Sequence, residues 1–287
     1  MSRLRRWSRP ARHRLAWILL QGLAACVSAL PLPVSQALGR GLGRLVGQLA
    51  RRDREAIAAR LAQADLPRRP SVGACWADLG QRLIELMAWR KALPHVVVPE
   101  ATLETLRSTL AEGRGLIAAT GHLGHWELMA GALARRDLPV HSTAARRRAS
   151  PLHRWLDDTR AAMGVTTHHP GGGAREVRRA LDAGAAVGVF VDQRTGERGV
   201  TLPFLGRPAH TPITCGRLVA RRRCPLCLVW SARHGRGYRV EALRLPVEAD
   251  GEPLSPEAIT ARLTDEIARL IQARPTEWVW IHDRWGG

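Results

Sequence analysis

Short apolar runs alternate with helix-like stretches along the last two-thirds of the chain, and this alternation constrains its fold most. The apolar runs have the length and composition of buried strands and lie at 116–120, 139–143, 186–191, 225–231, 238–245 and 278–281. Between them, apolar spacing predicts helices at 126–136, 151–163, 174–183, 212–221 and 255–273. Strands that alternate with helices are typical of α/β folds. We therefore expect a largely parallel sheet flanked by helices.

The part of the chain before this alternation is helical by its apolar spacing. Residues 71–92 carry apolar side chains at helical intervals, and residues 35–65 and 102–112 give a similar pattern. No long linker and no internal repeat separates these segments from the strands that follow. Residues 35–287 are therefore predicted to form one domain, in which the first helices add a layer to the sheet.

The N-terminal segment combines a basic start with an uncharged apolar stretch. Residues 1–14 contain six arginines, and no charged side chain occurs from Leu15 to Val34. A helix of this length rises about 30 Å, the thickness of a bilayer core, so a membrane helix is predicted, with residues 1–34 as an anchor. A helix lying in the membrane interface and a secretory signal are the alternatives. Because arginines also follow the stretch, the positive-inside rule leaves its orientation open.

Basic residues outnumber acidic ones by a wide margin. The 287 residues include 44 Lys and Arg against 25 Asp and Glu, a formal net charge of +19, and Lys91 is the one lysine. Such an excess fits a biased composition with a solvated surface, or contacts with an anionic membrane surface, a phosphorylated substrate or an acidic protein. Aromatic residues make up 5%, which leaves little surface for stacking bases, so nucleic acid is not an expected partner.

A His-x4-Glu pattern occurs where one of the predicted strands ends. His122 and Glu127 lie in Gly-His-Leu-Gly-His-Trp-Glu, directly after the apolar run 116–120. Ligands of open α/β sheets bind at such carboxyl ends, and glycines let the backbone turn and a substrate approach. A carboxylate in the first helical turn could hold the imidazole in one tautomer for acid–base work. The alternative is that the histidines of this turn merely cap or fill it.

Further motifs follow this turn along the chain. Asp192-Gln193 comes after a buried strand, and Arg160 stands four residues before Gly164. Two longer motifs lie toward the C-terminus, PFLGRPA at 203–209 and WVWIHDRW at 278–285. Together with the turn, these motifs resemble the lipid A biosynthesis acyltransferase family, the late lauroyl and myristoyl transferases, whose usual turn is His-Phe-Gly-Asn-Trp-Glu. The chain departs from that pattern at His125, which replaces the Asn.

The resemblance implies a glycerolipid-acyltransferase-like fold and a direct acyl transfer. The expected reaction is an O-acyl transfer that depends on acyl carrier protein or acyl-CoA. It moves a fatty acyl group, from acyl carrier protein in the family, to a hydroxyl of a phosphorylated membrane glycolipid, a lipid A precursor, on the cytoplasmic side of the inner membrane. The resemblance implies His122 as general base, Glu127 as the acid that orients it, and no need for a metal or cofactor. Substrate contacts are expected from Arg160, Gly124, Arg147, Asp192, Gln193 and Arg207.

The sequence leaves the acceptor open. Another lipid, such as a lysophospholipid, an ornithine-type lipid or a glycosylated inositol lipid, would suit the same residues. A membrane-associated binding protein that kept this fold without catalysis is the alternative from a different class.

Overall fold

The computed structural model describes residues 9–143, 151–169, 173–196 and 198–286. Its helices, numbered along the chain, are α1 Arg9–Ala29, α2 Leu32–Leu49, α3 Arg51–Gln63, α4 Val72–Met87, α5 Trp89–Ala92, α6 Glu100–Leu110, α7 Trp126–Ala134, α8 Pro151–Ala162, α9 Gly173–Asp182, α10 Thr214–Arg222 and α11 Pro256–Ala273. Its strands are β1 Val96–Val97, β2 Leu116–Thr120, β3 Val140–Thr143, β4 Thr166–His168, β5 Ala186–Phe190, β6 Gly199–Phe204, β7 Arg207–Pro212, β8 Leu226–His234, β9 Gly237–Leu245, β10 Glu248–Ala249 and β11 Glu252–Pro253. Short 3-10 turns lie at Leu93–His95 and Pro275–Glu277.

Seven of the described strands form one sheet in the order β1-β9-β8-β2-β5-β3-β4. Neighbouring strands run parallel, apart from β8 and β9, which form an antiparallel hairpin. The predicted α/β fold with a largely parallel sheet is thereby confirmed. Strand β2 lies between β8 and β5, so the segment that follows β2 leaves from the middle of the sheet.

Both faces of the central strand β2 are buried, which explains its unbroken apolar sequence. Ile117 and Ala119 belong to a core formed with α9, α10 and α11, whereas Leu116 belongs to a second core formed with α6 and α7. Because neither face of the sheet is solvated here, apolar residues occupy consecutive positions instead of alternating with polar ones.

The N-terminal apolar stretch is divided between two helices. Helix α1 ends at Ala29 and α2 begins at Leu32, because Pro31 disfavours the helical conformation of the residue before it. The predicted helix therefore ends before Val34, and the predicted membrane helix is not confirmed. Within the described residues, no helix has both the length and the apolar character that crossing a membrane requires.

Glycines bring α2 and α4 together with their backbones in contact. A Cβ atom on Gly43 would lie 2.1 Å from the carbonyl oxygen of Trp76, and one on Gly39 would lie 2.8 Å from Cα of Gln81. A larger side chain at either position would force the helices apart. This contact fixes α2 on the helix that carries Arg82, whose side chain reaches the turn after β2.

The C-terminal motif 278–281 does not form the predicted strand. Trp278 makes one isolated antiparallel bridge with Leu123, and the residues after Val279 form turns. The bridge cannot extend into a ladder because its partner is itself a turn. Conversely, the β6–β7 hairpin is not predicted by the apolar pattern, because prolines and a glycine interrupt its strands and its tip.

Candidate active site

The pairing of two neighbouring strands brings His122 beside Asp192. Thr120, the last residue of β2, pairs with Phe190, the last residue of the parallel strand β5. His122 and Asp192 each stand two residues beyond these strand ends, at the same edge of the sheet. They are 70 residues apart in the chain, yet Nδ1 of His122 lies 2.9 Å from Oδ1 of Asp192.

Asp192 is held by three hydrogen bonds. Besides the ring contact, its Oδ2 accepts from the backbone N–H of His122 at 2.6 Å and from Nε1 of Trp278 at 2.8 Å. Burial alone would raise the pKa of Asp192, but the imidazole and these hydrogen bonds outweigh burial and lower it. With Asp192 ionised, Nδ1–H of His122 is the donor, so Nε2 is the acceptor nitrogen of the ring, and the amide nitrogen of Gln193 lies 3.3 Å from it. The His122 side chain is 18% exposed, so a substrate can reach it.

Glu127 does not orient the imidazole, contrary to the prediction. Its Oε2 accepts from Nε of Arg160 at 2.8 Å and its Oε1 from Nη2 of Arg160 at 2.5 Å, while Trp126 Nε1 lies 3.2 Å from Oε1. Burial would lower the pKa of Arg160, but the ion pair with Glu127 raises it. Glu127 lies in the first turn of α7 and contacts α8. The acid that reaches the ring comes instead from the segment after β5.

His125 forms the N-terminal cap of α7. Its Nδ1 accepts from the backbone N–H of Leu128 at 3.3 Å, and its Nε2 lies 3.1 Å from the carbonyl oxygen of Arg82, to which it donates. Burial, together with the positive charge of Arg82, lowers the pKa of His125 to about 3. A neutral ring with one acceptor and one donor nitrogen satisfies both contacts. This explains how histidine can replace the family's asparagine, a strong capping residue.

Gly124 allows the turn formed by residues 121–125, here called the β2–α7 turn, to pack closely against β8. Its φ is +60°, and a Cβ atom would lie 1.9 Å from the carbonyl oxygen of Ser231. Its N–H donates to the carbonyl oxygen of Glu277 at 3.1 Å, and its own carbonyl accepts from Nη1 of Arg82 at 2.6 Å. The predicted substrate contact of Gly124 is therefore not supported, since both backbone polar groups are already bound within the protein.

An apolar cavity is lined in part by two aromatic residues that contact the imidazole. It lies between the sheet and helices α6 and α7, and its walls include Leu106, Leu110, Met129, Leu133, Leu138 and Val140. Phe190 and Trp126 also line it and pack against the His122 ring, with centroid distances of 4.2 and 5.1 Å. Glu127 and Arg160 contribute its charged groups. The arrangement combines a base with a chamber suited to a hydrocarbon chain.

The other predicted site residues fall in different places. The amide nitrogen of Gln193 lies 3.3 Å from both ring nitrogens of His122, so Gln193 is a neighbour of the imidazole. Arg207 begins β7 instead, with its guanidinium carbon 5.0 Å from the centre of the Trp285 ring. Arg147 lies outside the described residues. Among the residues that are described, no group of three His, Cys, Asp or Glu side chains is arranged to hold a metal ion.

Two contributors to the site escape the sequence prediction. Trp278 was part of a recognisable motif, but its indole N–H binding to Asp192 depends on how the C-terminus folds back. Arg82 is 4% exposed inside a helix with apolar spacing, and it binds Gly124 of the β2–α7 turn. A buried arginine in an apolar helix is costly unless it is paired, so its position was a usable signal.

Comparison of the sequence with known proteins identifies its family. The sequence model of the bacterial lipid A biosynthesis acyltransferases matches residues 5–286. The chain is 24% identical over 300 residues to the lipid A biosynthesis lauroyltransferase of Escherichia coli K12, which covers 99% of this chain and 96% of that protein. It is 25% and 24% identical over 187 residues to the phosphatidylinositol mannoside acyltransferases of Mycobacterium tuberculosis H37Rv and Mycolicibacterium smegmatis.

These mycobacterial matches cover 64% of this chain, and the chain spans only 58% and 60% of the length of the two relatives. The match to the family model spans the β2–α7 turn, Asp192 and the C-terminal motif. Because that model matches nearly the whole sequence, the chain belongs to the bacterial lipid A biosynthesis acyltransferase family.

Proposed function

We propose that the chain moves an acyl group from a thioester of acyl carrier protein to a hydroxyl of a phosphorylated glycolipid, with His122 as general base. The observation that carries this proposal is the His122–Asp192 pair beside an apolar cavity. Acyl transfer to a lipid alcohol requires both an accessible base and a place for a hydrocarbon chain. Membership of an acyltransferase family supports the class of reaction.

In the proposed reaction, Nε2 of His122 takes the proton of the acceptor hydroxyl while the hydroxyl oxygen attacks the thioester carbonyl carbon. A C–O bond forms, and the carbonyl oxygen becomes the oxyanion of a tetrahedral intermediate. Collapse of the intermediate breaks the C–S bond, and the imidazolium gives its proton to the departing thiolate. Asp192 holds the ring in the required tautomer and stabilises the imidazolium.

The start of α7 is the proposed site for the oxyanion. The N–H groups of Trp126 and Glu127 precede that of Leu128, which His125 caps, and the helix dipole there favours negative charge. Arg160 is the less suitable donor, because its Nε and Nη2 already bind Glu127. Glu127 and Arg160 are accordingly assigned to holding α7 against α8 at the cavity wall.

The apolar cavity is assigned to the acyl chain of the donor. Its walls are largely apolar, with polar groups from Thr120, Glu127, His141, Ser142 and Arg160. A chain that occupied it would run from the imidazole between the sheet and α6. Burying the chain there removes apolar surface from water. The thioester carbonyl at the end of the chain would then lie near His122.

We further propose that the reaction takes place on the cytoplasmic side of the inner membrane, where acyl carrier protein and a membrane glycolipid are both accessible. The net charge of +19 supports partners that are anionic: the acidic carrier protein, the phosphates of the acceptor and anionic lipid headgroups. Cell fractionation tests this location.

An assay with purified protein, acyl carrier protein donors and a panel of lipid acceptors tests the reaction. We expect His122→Ala and Asp192→Asn each to lower kcat by about 10²- to 10⁴-fold. His234→Ala is the matched control, because His234 is exposed at the turn between β8 and β9. Transfer by the His122 variant at the wild-type rate would remove the proposed mechanism.

Glycosylated inositol lipids are the second candidate class of acceptor, favoured by the similarity to the two phosphatidylinositol mannoside acyltransferases. Lipid profiling of a deletion strain separates the two. Loss of one acyl chain from lipid A supports the first acceptor, whereas unchanged lipid A with an altered inositol lipid supports the second.

A further inference from the structure

Helix α2 exposes its large apolar side chains and buries its small ones. Ser35, Gly39, Gly43 and Gly47 are buried, and the glycines among them pack against α4. A second side of the helix, here called the leucine face, consists of Val34, Leu38, Leu42, Leu45 and Leu49, which are 39–76% exposed. These residues recur every three or four positions, so they form one continuous stripe.

Exposed apolar side chains are concentrated in this part of the molecule. Of the twelve large apolar residues that are exposed in the described chain, eight lie on α1 and α2, including Ile18 and Leu23 on α1. Leu83 of α4, the helix that packs against both, is a ninth at 54% exposure. Large exposed apolar patches on folded proteins mark sites of interaction with other proteins or membranes.

The charge of the same segment indicates which partner fits. Residues 1–52 contain ten arginines and no Asp or Glu. Arg44 of α2 is exposed, as are Arg51 and Arg52 just beyond its end. A second copy of this surface would bring like charges together, whereas an anionic bilayer offers both a hydrocarbon layer and opposite charge.

We propose that the leucine face of α2 docks the protein on an anionic lipid bilayer, with α2 lying in the plane of the interface. The leucines enter the boundary between headgroups and acyl chains, and the arginines contact lipid phosphates. The glycine contact with α4 holds the rest of the molecule at the membrane surface. This inference rests on the proposed function in one respect: a membrane-embedded acceptor is the reason that the protein needs to dock.

The docking surface connects to the active site through α1. Helix α1 contacts both α4 and α8, and Trp17 and Leu20 of α1 pack against the core that includes Trp155 of α8. Helix α8 carries Arg160, which lines the apolar cavity. A bilayer under α1 and α2 would therefore be coupled by direct packing to the wall of the proposed acyl site.

Co-sedimentation with lipid vesicles tests the docking surface. The variant L42S/L45S is compared with V97S/L243S, whose apolar side chains are similarly exposed (42% and 41%) but belong to the β1 and β9 strands. On vesicles of mixed phosphatidylcholine and phosphatidylglycerol, we expect L42S/L45S to lower the partition coefficient about tenfold or more. V97S/L243S should bind as the wild type does. R44Q/R52Q should weaken binding to these vesicles while leaving weak binding to pure phosphatidylcholine unchanged.

The outcomes separate docking from catalysis. All variants should match the wild type in far-ultraviolet circular dichroism and in transfer to a detergent-dispersed acceptor. L42S/L45S and R44Q/R52Q should lose transfer only to an acceptor carried in vesicles. If the wild type binds vesicles through the leucine face but transfers no acyl group, the proposed function fails and the docking surface stands. Unchanged vesicle binding by L42S/L45S overturns the docking proposal. So does a self-association, or a binding to acyl carrier protein, that L42S/L45S abolishes while vesicle binding persists.

Discussion

His122 and Arg160 each contact their own carboxylate. Asp192 binds the imidazole and Glu127 binds the guanidinium, and Trp126 lies between the two pairs. Residues in direct contact show interaction energies in double-mutant cycles, whereas independent residues have additive effects. The two pairs can therefore be told apart by measurement.

We expect the free energies of unfolding of E127Q, R160Q and the double variant to give an interaction energy of about 1–3 kcal/mol, because each single change leaves a buried charge without its partner. The cycle of H122A with E127Q should give a smaller interaction energy, because these two residues share Trp126 as a neighbour but make no hydrogen bond to each other. Urea unfolding measures both cycles. Strong coupling of Glu127 to His122, with none to Arg160, would contradict the observed pairing.

His125 makes the stability of the fold sensitive to acid. The folded protein keeps this ring neutral down to about pH 3, whereas the unfolded chain protonates it below the ordinary histidine pKa of 6.5. As the pH falls between these values, the unfolded state takes up a proton that the folded state does not. The contribution of His125 to stability therefore decreases by about 1.4 kcal/mol for each pH unit.

The variant His125→Asn should keep a side-chain cap on α7 and remove this acid sensitivity. Relative to the wild type, we expect its free energy of unfolding to rise by about 2–3 kcal/mol when the pH is lowered from about 6.5 to about 4.5. Urea unfolding of both proteins at the two pH values measures the difference, in which the other titrating groups cancel. Parallel pH dependences would show that His125 is protonated in the folded state.

At the scale of elements, α2 and α4 pack so closely that the glycines at their contact have no space for a side chain. Gly39, Gly43 and Gly80 approach the facing backbone so closely that a Cβ atom on any of them would lie within 3 Å of it. Gly41, on the same helix, has no neighbouring atom within 4 Å of a Cβ position. We therefore expect replacement of glycine by alanine to have opposite effects on stability at these two kinds of position.

We expect Gly43→Ala to destabilise the protein by about 1–3 kcal/mol, because the methyl group must displace α2 from Trp76. Gly41→Ala is the matched control and should stabilise by about 0.5–1 kcal/mol, since alanine loses less conformational freedom than glycine in a helix. The free energy of unfolding in urea measures both. Equal effects of the two substitutions would mean that α2 and α4 are not in backbone contact.

At the scale of the whole molecule, the cavity beside His122 is formed by elements far apart in the chain. It takes residues from α6, α7 and α8 and from four strands of the sheet. The length of acyl chain that fits depends on how far these walls extend. A wall residue that is enlarged should therefore change chain-length selectivity without changing the chemistry at His122.

Ala130→Phe places a ring in the cavity from α7. We expect it to lower kcat/KM for the longest accepted donor by about 10- to 200-fold relative to a donor several carbons shorter. Excluding even one methylene from an apolar pocket changes kcat/KM by a factor in this range. Ala58→Phe, on the exposed side of α3, is the control. Competition between two donors in one reaction gives the ratio directly. An unchanged ratio would show that the acyl chain lies elsewhere.

Local sequence determined the elements of this protein and the position of its imidazole. The apolar run 116–120, followed by glycines and a helical pattern, predicts a strand, a turn and a helix from interactions within a few residues. The resemblance to the family added Asp192, Gln193 and the C-terminal motif as parts of the same protein. In each case the information lies in neighbouring side chains, whose spacing reflects the period of the element they belong to.

Tertiary structure decided which groups these elements bring into contact. The spacing of His122 and Glu127 suggested a pair, but strand pairing placed Asp192 at the ring and α8 placed Arg160 at Glu127. Likewise, the apolar stretch 15–34 indicated one helix. In the folded protein this stretch is divided between α1 and α2, and the leucines of α2 remain exposed. A hydrogen bond forms only when donor and acceptor lie within a distance range of a few tenths of an ångström. Between segments far apart in sequence, only the packing of the folded chain sets that distance.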